Sequence, residues 1–416
     1  MGFARNIKLF APYQVLSLEG VCHGLYVVWL IHHKGLPPEQ VALLIAIGDL
    51  LLMAVHVPTG MLADRFGRRW SLVVGSIIQA AGLATMWLGT SPAMIAASSL
   101  AIGLGDAFRG GADEALLYES LKAEGREAEF ERFLARTSFW AQSVLVALVL
   151  GGGALVASFG FDAAWAAEVA LSVAGLVVAF MMRETPNTVS EGSAKAEQGT
   201  ATETGKEAAP SFRTGRTLRL SRFLPVLLPA AIAGALAGYT GFGVEASWQG
   251  DEQAAVQLTW VVAAVMAAEA FGAFLASGVT FKGRDGGQTV LIAGGLALAA
   301  ATAFGTSATG GLGMAGVPAI AILAAAVLNF LAGWAEPVRA ARIQELAHDG
   351  QRATLASVAG TLDMGVQTGG LALYGFLLAG IGLGAANAIL ALLLGGVWLA
   401  ATIASRVLGK RSQYLP

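Results

Sequence analysis

Long apolar runs recur along this chain with only short polar segments between them, so most of it must fold in lipid. A run of about 20 apolar residues, each rising 1.5 Å, crosses a hydrocarbon core of about 30 Å. Twelve such runs can be drawn, at approximately 10–32, 38–59, 70–89, 92–116, 137–159, 162–183, 223–244, 254–279, 288–307, 314–337, 354–379 and 384–406. In lipid each backbone N–H and C=O needs an internal partner, so runs of this length are read as helices. Composition agrees: 56% of the 416 residues are hydrophobic and 13% are charged, against about 25% charged in a soluble domain. The expected fold class is an all-α membrane protein of twelve transmembrane helices.

Positive charge orients the spans. Of the 26 Lys and Arg residues, Arg109 falls within a span and Lys34 in the first outer loop, and the others lie at the termini or in the even-numbered connections. By the positive-inside tendency both termini are cytoplasmic, and the chain is a multi-pass protein of the cytoplasmic (inner) membrane. Trp29, Trp87, Trp165 and Trp248 near outer ends, with Trp70 and Trp140 near inner ends, form the aromatic belts such an orientation requires. Arg5 and Lys8 precede an apolar run too long for a cleavable signal core, so an uncleaved first span is expected. The formal net charge of −2, with its basic residues dispersed over loops, predicts no nucleic-acid partner. The lone Cys22 excludes an intramolecular disulfide and a cysteine-built metal site. No phosphate-binding loop or cofactor fingerprint is present, so neither enzyme activity nor a cofactor or metal is expected.

Between Arg183 and Phe223 the apolar signal vanishes, and residues 187–210 are dominated by Ser, Thr, Glu, Gly, Ala and Lys. That composition buries too little apolar surface to order itself. The chain therefore divides into an N-terminal six-helix bundle (1–185), a cytoplasmic linker (186–221) and a C-terminal six-helix bundle (222–416). Arg213, Arg216, Arg219 and Arg222 could form one cationic stripe facing anionic headgroups, or could simply label the start of span seven. The halves echo each other: Glu119 to Arg126 follows span four, and Glu345 to Arg352 follows span ten.

The connection between spans two and three reads Gly60-Met61-Leu62-Ala63-Asp64-Arg65-Phe66-Gly67-Arg68-Arg69. Gly60 is expected to let a neighbouring helix approach, Gly67 to permit a turn, and Asp64 to oppose the arginines. This pattern, Gly-x-Leu-Ala-Asp-Arg-x-Gly-Arg-Arg, resembles the signature between spans two and three of the major facilitator superfamily of transporters, twelve-span type. The resemblance implies two six-helix bundles that rock about a central path, and a cytoplasmic gate latched by Asp64, Arg65, Arg68 and Arg69. Two departures are visible. Ser99 stands where many relatives carry an arginine, and span five reads Leu150-Gly-Gly-Gly-Ala-Leu155 where exporters in the family often show a Gly-Pro pair.

Ionisable residues inside spans cost at least a few kcal/mol and normally face protein or water. Span one holds Glu19, with His23 four residues on and therefore on the same face of a continuous helix. Span two holds Asp49 and, near Pro58, His56. In span four Arg109 is three residues from Asp106 and four from Asp113, so both carboxylates can reach it along one helix face. Desolvation favours the protonated form of a buried carboxyl, the property that proton coupling needs. Glu19, His23, Asp49, Asp106 and Arg109 are the coupling candidates, and Asp113 and Glu114 the expected partners of Arg68 or Arg69. In the second half Tyr239, Asn329, Trp334, Asp363 and Gln367 are candidates for a substrate cavity, and Glu269 and Glu336 are further charges near the inner side. Together these imply a monomeric secondary transporter moving a small molecule across the membrane by alternating access. Proton-coupled export of an amphiphilic or drug-like compound leads, with proton-coupled uptake of a small metabolite as the alternative.

Overall fold

The structure is a computed structural model that describes residues 3–184, 224–278, 313–314, 317–346 and 352–412. The expected linker at 186–221 and the expected ninth span at 288–307 lie outside the described residues. The first half comprises α1 (Ala4–Leu16), α2 (Tyr26–Val28, continuing as a π-helical turn over Trp29–His33), α3 (Pro38–Phe66), α4 (Arg68–Leu88), α5 (Pro92–Arg109), α6 (Ala112–Ala123), α7 (Phe130–Phe159) and α8 (Phe161–Met181). The second comprises α9 (Leu224–Ala246), α10 (Ala255–Gly278), α11 (Ala319–Leu346) and α12 (Arg352–Ser412). Gly382 interrupts α12 between the two spans expected there. Gly313–Met314 and Val317–Pro318 pair antiparallel, a small exception to an otherwise helical architecture. Eight described helices are long and apolar enough to cross a membrane.

Two expected spans are not continuous. Span one breaks between Leu16 and Tyr26, so the i, i+4 argument that placed Glu19 and His23 on one helix face does not apply. Span four breaks at Gly110–Gly111, where Gly111 takes a left-handed φ of 77°. That break separates Asp113 from the helix carrying Asp106 and Arg109, and the expected three-residue charge ladder is not formed along one helix.

The connection between α3 and α4 is tighter than the sequence suggests. Helix α3 runs to Phe66, α4 starts at Arg68, and Gly67 alone makes the turn with φ 107° and ψ 141°. Any side chain would be strained in that backbone region, by about 1–3 kcal/mol. A Cβ on Gly67 would also lie 2.6 Å from Glu184 Oε2. Glu184 needs that space because its carboxylate accepts the N–H groups of Arg68 (2.8 Å) and Arg69 (3.0 Å) at the start of α4. Burial pushes the Glu184 carboxyl up from its ordinary value, against the opposing pull of those N–H groups. Among the described residues nothing lies within 4 Å of a Cβ placed on Gly60, so none of them makes the close helix approach expected there.

The two halves meet along one apolar core that includes Trp29, Trp165, Trp248 and Tyr374. Among the described residues, several close contacts between them lie towards the Trp248 end. Gly375 of α12 abuts the Ala42 side chain and Glu39 backbone of α3, Gly24 abuts Val262 of α10, and Gly153 of α7 abuts Thr259 of α10. His32 Nε2 lies 2.6 Å from the Trp248 carbonyl. Between helices in lipid, association rests on such close packing because the tails are as apolar as the side chains. At the opposite end the described ion pair of Arg68, with Glu119 at 3.1 Å, stays within the first half.

Gly67→Ala should lower the thermal midpoint of the detergent-purified protein by an amount corresponding to about 1–3 kcal/mol, whereas Gly60→Ala should leave it unchanged within about 0.5 kcal/mol. Equal midpoints for the two variants would contradict this account of the turn.

Candidate functional site

Inside the molecule, where the broken first span passes between the helices of its own half, lies a cavity of about 320 Å³. Its size falls at the lower end of small-molecule sites, about 300–1,000 Å³. The walls carry five carboxyl groups, from Glu19, Asp49, Asp106, Glu168 and Glu245, together with His23, Tyr26, Ser99, Trp165 and apolar side chains. Four of the five carboxyls come from the first half. Glu245, from α9, faces them from the second. His23 is enclosed by the fold yet has accessible surface, because it borders this void. The Asp106 side chain likewise keeps 38% exposure near the C-terminal end of α5.

The break in span one brings these groups together, and two neighbouring helices hold it. Non-helical backbone at membrane depth needs partners for the N–H and C=O groups it frees. Glu168 of α8 supplies them on one side: its carboxylate accepts the N–H of Cys22 at 2.8 Å and those of Gly20 and Val21. Arg109 of α5 supplies them on the other, its Nη2 donating to the Ser17 carbonyl at 3.3 Å. The same guanidinium pairs with Asp106 at 2.8 Å and donates to Gln79 of α4. Gln79 in turn donates to Glu19 at 2.5 Å. Helix α7 approaches through the glycine string that the sequence marks without a proline: a Cβ on Gly152 would strike the Val21 carbonyl.

The coupling candidates Glu19, His23, Asp49 and Asp106 therefore all border one void, and Arg109 stands behind Asp106. Asp49 also bonds Thr368 of α12, across the two halves. The expected cavity residues of the second half are not among its walls. Asp363 is engaged by the 5%-exposed Arg339, whose Nη1 lies 2.5 Å from both carboxylate oxygens, while Glu336 pairs with the same guanidinium. Tyr239 donates to the Val366 carbonyl and stacks on Tyr374 at 5.7 Å. Asn329 bonds the Ala325 carbonyl of its own helix at 2.8 Å. Gln367 packs against Gly234, and the Trp334 backbone packs against Gly272.

Of the expected gate, Arg68 pairs with Glu119, and the Arg69 guanidinium donates to the Phe180 carbonyl at 2.9 Å. Arg65 lies 5.5 Å from the Phe66 ring centroid. Asp113 accepts from Gln14 at 2.5 Å, and Glu114 is exposed. The side chains of Asp64 and His56 lie outside the described residues.

Three residues of the site escape the sequence reading. Glu168 and Gln79 are polar groups inside apolar runs, a visible signal that was passed over. Glu245 falls just past the expected end of span seven at 244, but α9 runs to Ala246 and brings it to the cavity wall.

Glu168→Gln keeps the shape of the side chain but removes the charge and one acceptor oxygen, so part of the backbone break loses its partner at about 1–3 kcal/mol. The only cysteine, Cys22, sits in that break and is 7% exposed. Its labelling by N-ethylmaleimide should therefore accelerate several-fold in Glu168→Gln relative to the parent protein. An unchanged labelling rate and unchanged thermal midpoint would show that Glu168 does not hold the break.

Comparison with known proteins places the fold. Among solved structures the chain is similar to a bacterial homolog of the human lysosomal transporter Spinster in its inward-facing, unoccupied conformation (TM-score 0.64, 16% identity, covering 97% of this chain and 96% of that one). It is similar to the nucleoside transporter NupG (TM-score 0.67, 13% identity, 97% and 99% covered), and to tetrameric PepTSo2 (TM-score 0.64, 11% identity, 99% of each covered). A search of curated proteins finds no match. The Major Facilitator Superfamily profile matches residues 20–370, most of the chain, and the protein belongs to that superfamily of transporters.

Proposed function

We propose that this protein is a proton-coupled secondary transporter that exports an amphiphilic or drug-like compound across the cytoplasmic membrane. The observation that carries the reading is the carboxyl-lined cavity, with Glu19, Asp49 and Asp106 on one half and Glu245 on the other. Ionisable groups at this depth are tolerated where water and cargo reach them. In the proposed cycle two bundles, 1–185 and 222–416, rock about this cavity, and the 186–221 linker spans them on the cytoplasmic side. In that cycle the contacts at the Trp248 end form the outer seal. Glu19 carries the proton, with Gln79 and Arg109 adjusting to its charge. The Asp64 to Arg69 turn closes the cytoplasmic side in the other half of the cycle, with Arg68 and Arg69 as its cations. Uptake with a proton is the second reading, favoured by the absence of proline in the Leu150 to Leu155 glycine string.

In proteoliposomes Glu19→Gln should abolish flux driven by a pH gradient, by at least 10-fold, while substrate exchange without a gradient persists. Flux that still follows the pH gradient in this variant would remove Glu19 from the coupling role. Asp64→Asn should slow turnover while retaining binding, and full turnover would remove the gate.

A further inference from the structure

The charge balance of the cavity wall narrows the cargo. Of its five carboxyls, Asp106 is matched by the Arg109 guanidinium and Glu168 by three backbone N–H groups of the broken span. The other three have only neutral partners or none. Glu19 accepts from the Gln79 amide and Asp49 from Thr368. Among the described residues the Glu245 side chain has neither a hydrogen bond nor an ion pair. Among the described residues no Lys or Arg borders the void, and the remaining ionisable neighbours are Cys22, His23 and Tyr26. Three carboxyl groups in one enclosed space need countercharge, which either protons or an entering cation can supply.

Size and shape separate an organic cation from a metal ion. A cavity of 320 Å³ holds about ten waters at about 30 Å³ each, far more than a single ion requires. Among the described residues no three His, Cys, Asp or Glu side chains converge as metal ligands. The wall instead combines spaced carboxyls with aromatic surface: Tyr26 and Trp165 border the void, their centroids 6.5 Å apart at 63°. Ring faces attract a desolvated organic cation within about 6 Å of their centroids.

We propose that the cargo is a small organic cation bearing an aromatic or alkyl body, anchored between Glu245 of the second half and Glu19 and Asp49 of the first. This rests on the transporter reading and names its substrate class. Binding is an exchange: the cation takes the place of a proton on a carboxyl, the proton leaves to solvent, and the net charge of the cavity is unchanged. One cargo charge held by both halves links them directly, and its departure leaves a site that protons refill.

The test uses the full chain in detergent with 1-methyl-4-phenylpyridinium as the cation and 4-methylbiphenyl as its neutral isostere. Calorimetric titration in two buffers of different ionisation enthalpy should show saturable cation binding with release of about one proton. The cation should also protect Cys22 from N-ethylmaleimide, since Cys22 borders the same cavity. In Glu245→Gln the affinity should fall at least 10-fold with the thermal midpoint retained, and Asp49→Asn serves as the second variant. Equal binding and equal Cys22 protection by the neutral isostere in the parent protein would overturn the assignment without any variant. So would cation binding that releases no proton. Failure of the transport reading looks different: cation binding with proton release in detergent, but no flux in proteoliposomes under any pH gradient, leaves the cargo class standing and removes the coupled cycle.

Discussion

Everything in the first half depends on how the break between Leu16 and Tyr26 is kept in a low-dielectric interior. A helix that opens at membrane depth frees backbone donors and acceptors, and each unsatisfied group costs several kcal/mol in hydrocarbon. Here an anion and a cation from two neighbouring helices take them up, Glu168 on the N–H side and Arg109 on the carbonyl side. Neither side chain is then free to act as an isolated buried charge, which would be far costlier than the break itself. The polar groups stabilise the irregular backbone, and the irregular backbone gives the polar groups their partners. The break also sets the positions of Glu19, Cys22 and His23, all three of which border the cavity.

The second constraint is close packing without a hydrophobic drive. Helices in lipid gain nothing by hiding apolar surface from lipid tails, so contact between the halves has to come from fit. Gly24, Gly153 and Gly375 each leave no room for a Cβ against a partner from the opposite half. All three lie towards the Trp248 end, where His32 also reaches the Trp248 carbonyl. Asp49 and Thr368 also bond across the halves, close to the cavity wall.

Much of this architecture was legible in the chain because hydropathy reports span length directly. The helices from Pro38 to Leu88 and from Phe130 to Met181 fall close to the apolar runs that foretell them. Hydropathy does not report continuity. Gly20 and Gly24 around Glu19, and the Gly110–Gly111 pair, sit inside apolar runs, and only tertiary partners decide whether such glycines open a helix or merely pack. The i, i+4 reading of Glu19 and His23 failed for that reason, although both residues reach the same void. Asp363 was legible as a buried charge, but its partner Arg339, 24 positions earlier in the chain, was not. Spacing along one helix cannot announce an ion pair between two. Glu245 was hidden by a span boundary drawn two residues short of the end of α9.

These observations bear on how cargo and proton can communicate in the proposed cycle. Glu19 borders the cavity and is joined through Gln79 to Arg109, and Arg109 holds the Ser17 carbonyl at the start of the break. Glu168 borders the same cavity and holds the far side of the break. A change of charge at either carboxyl therefore alters a hydrogen bond that fixes the shape of span one, without any relay through distant helices. Span one also carries Gly24 against Val262 of the second half, so a change in its shape acts on the seal between the halves. Coupling in this arrangement needs no separate transmission pathway, because the element that senses charge is itself part of the contact that must open.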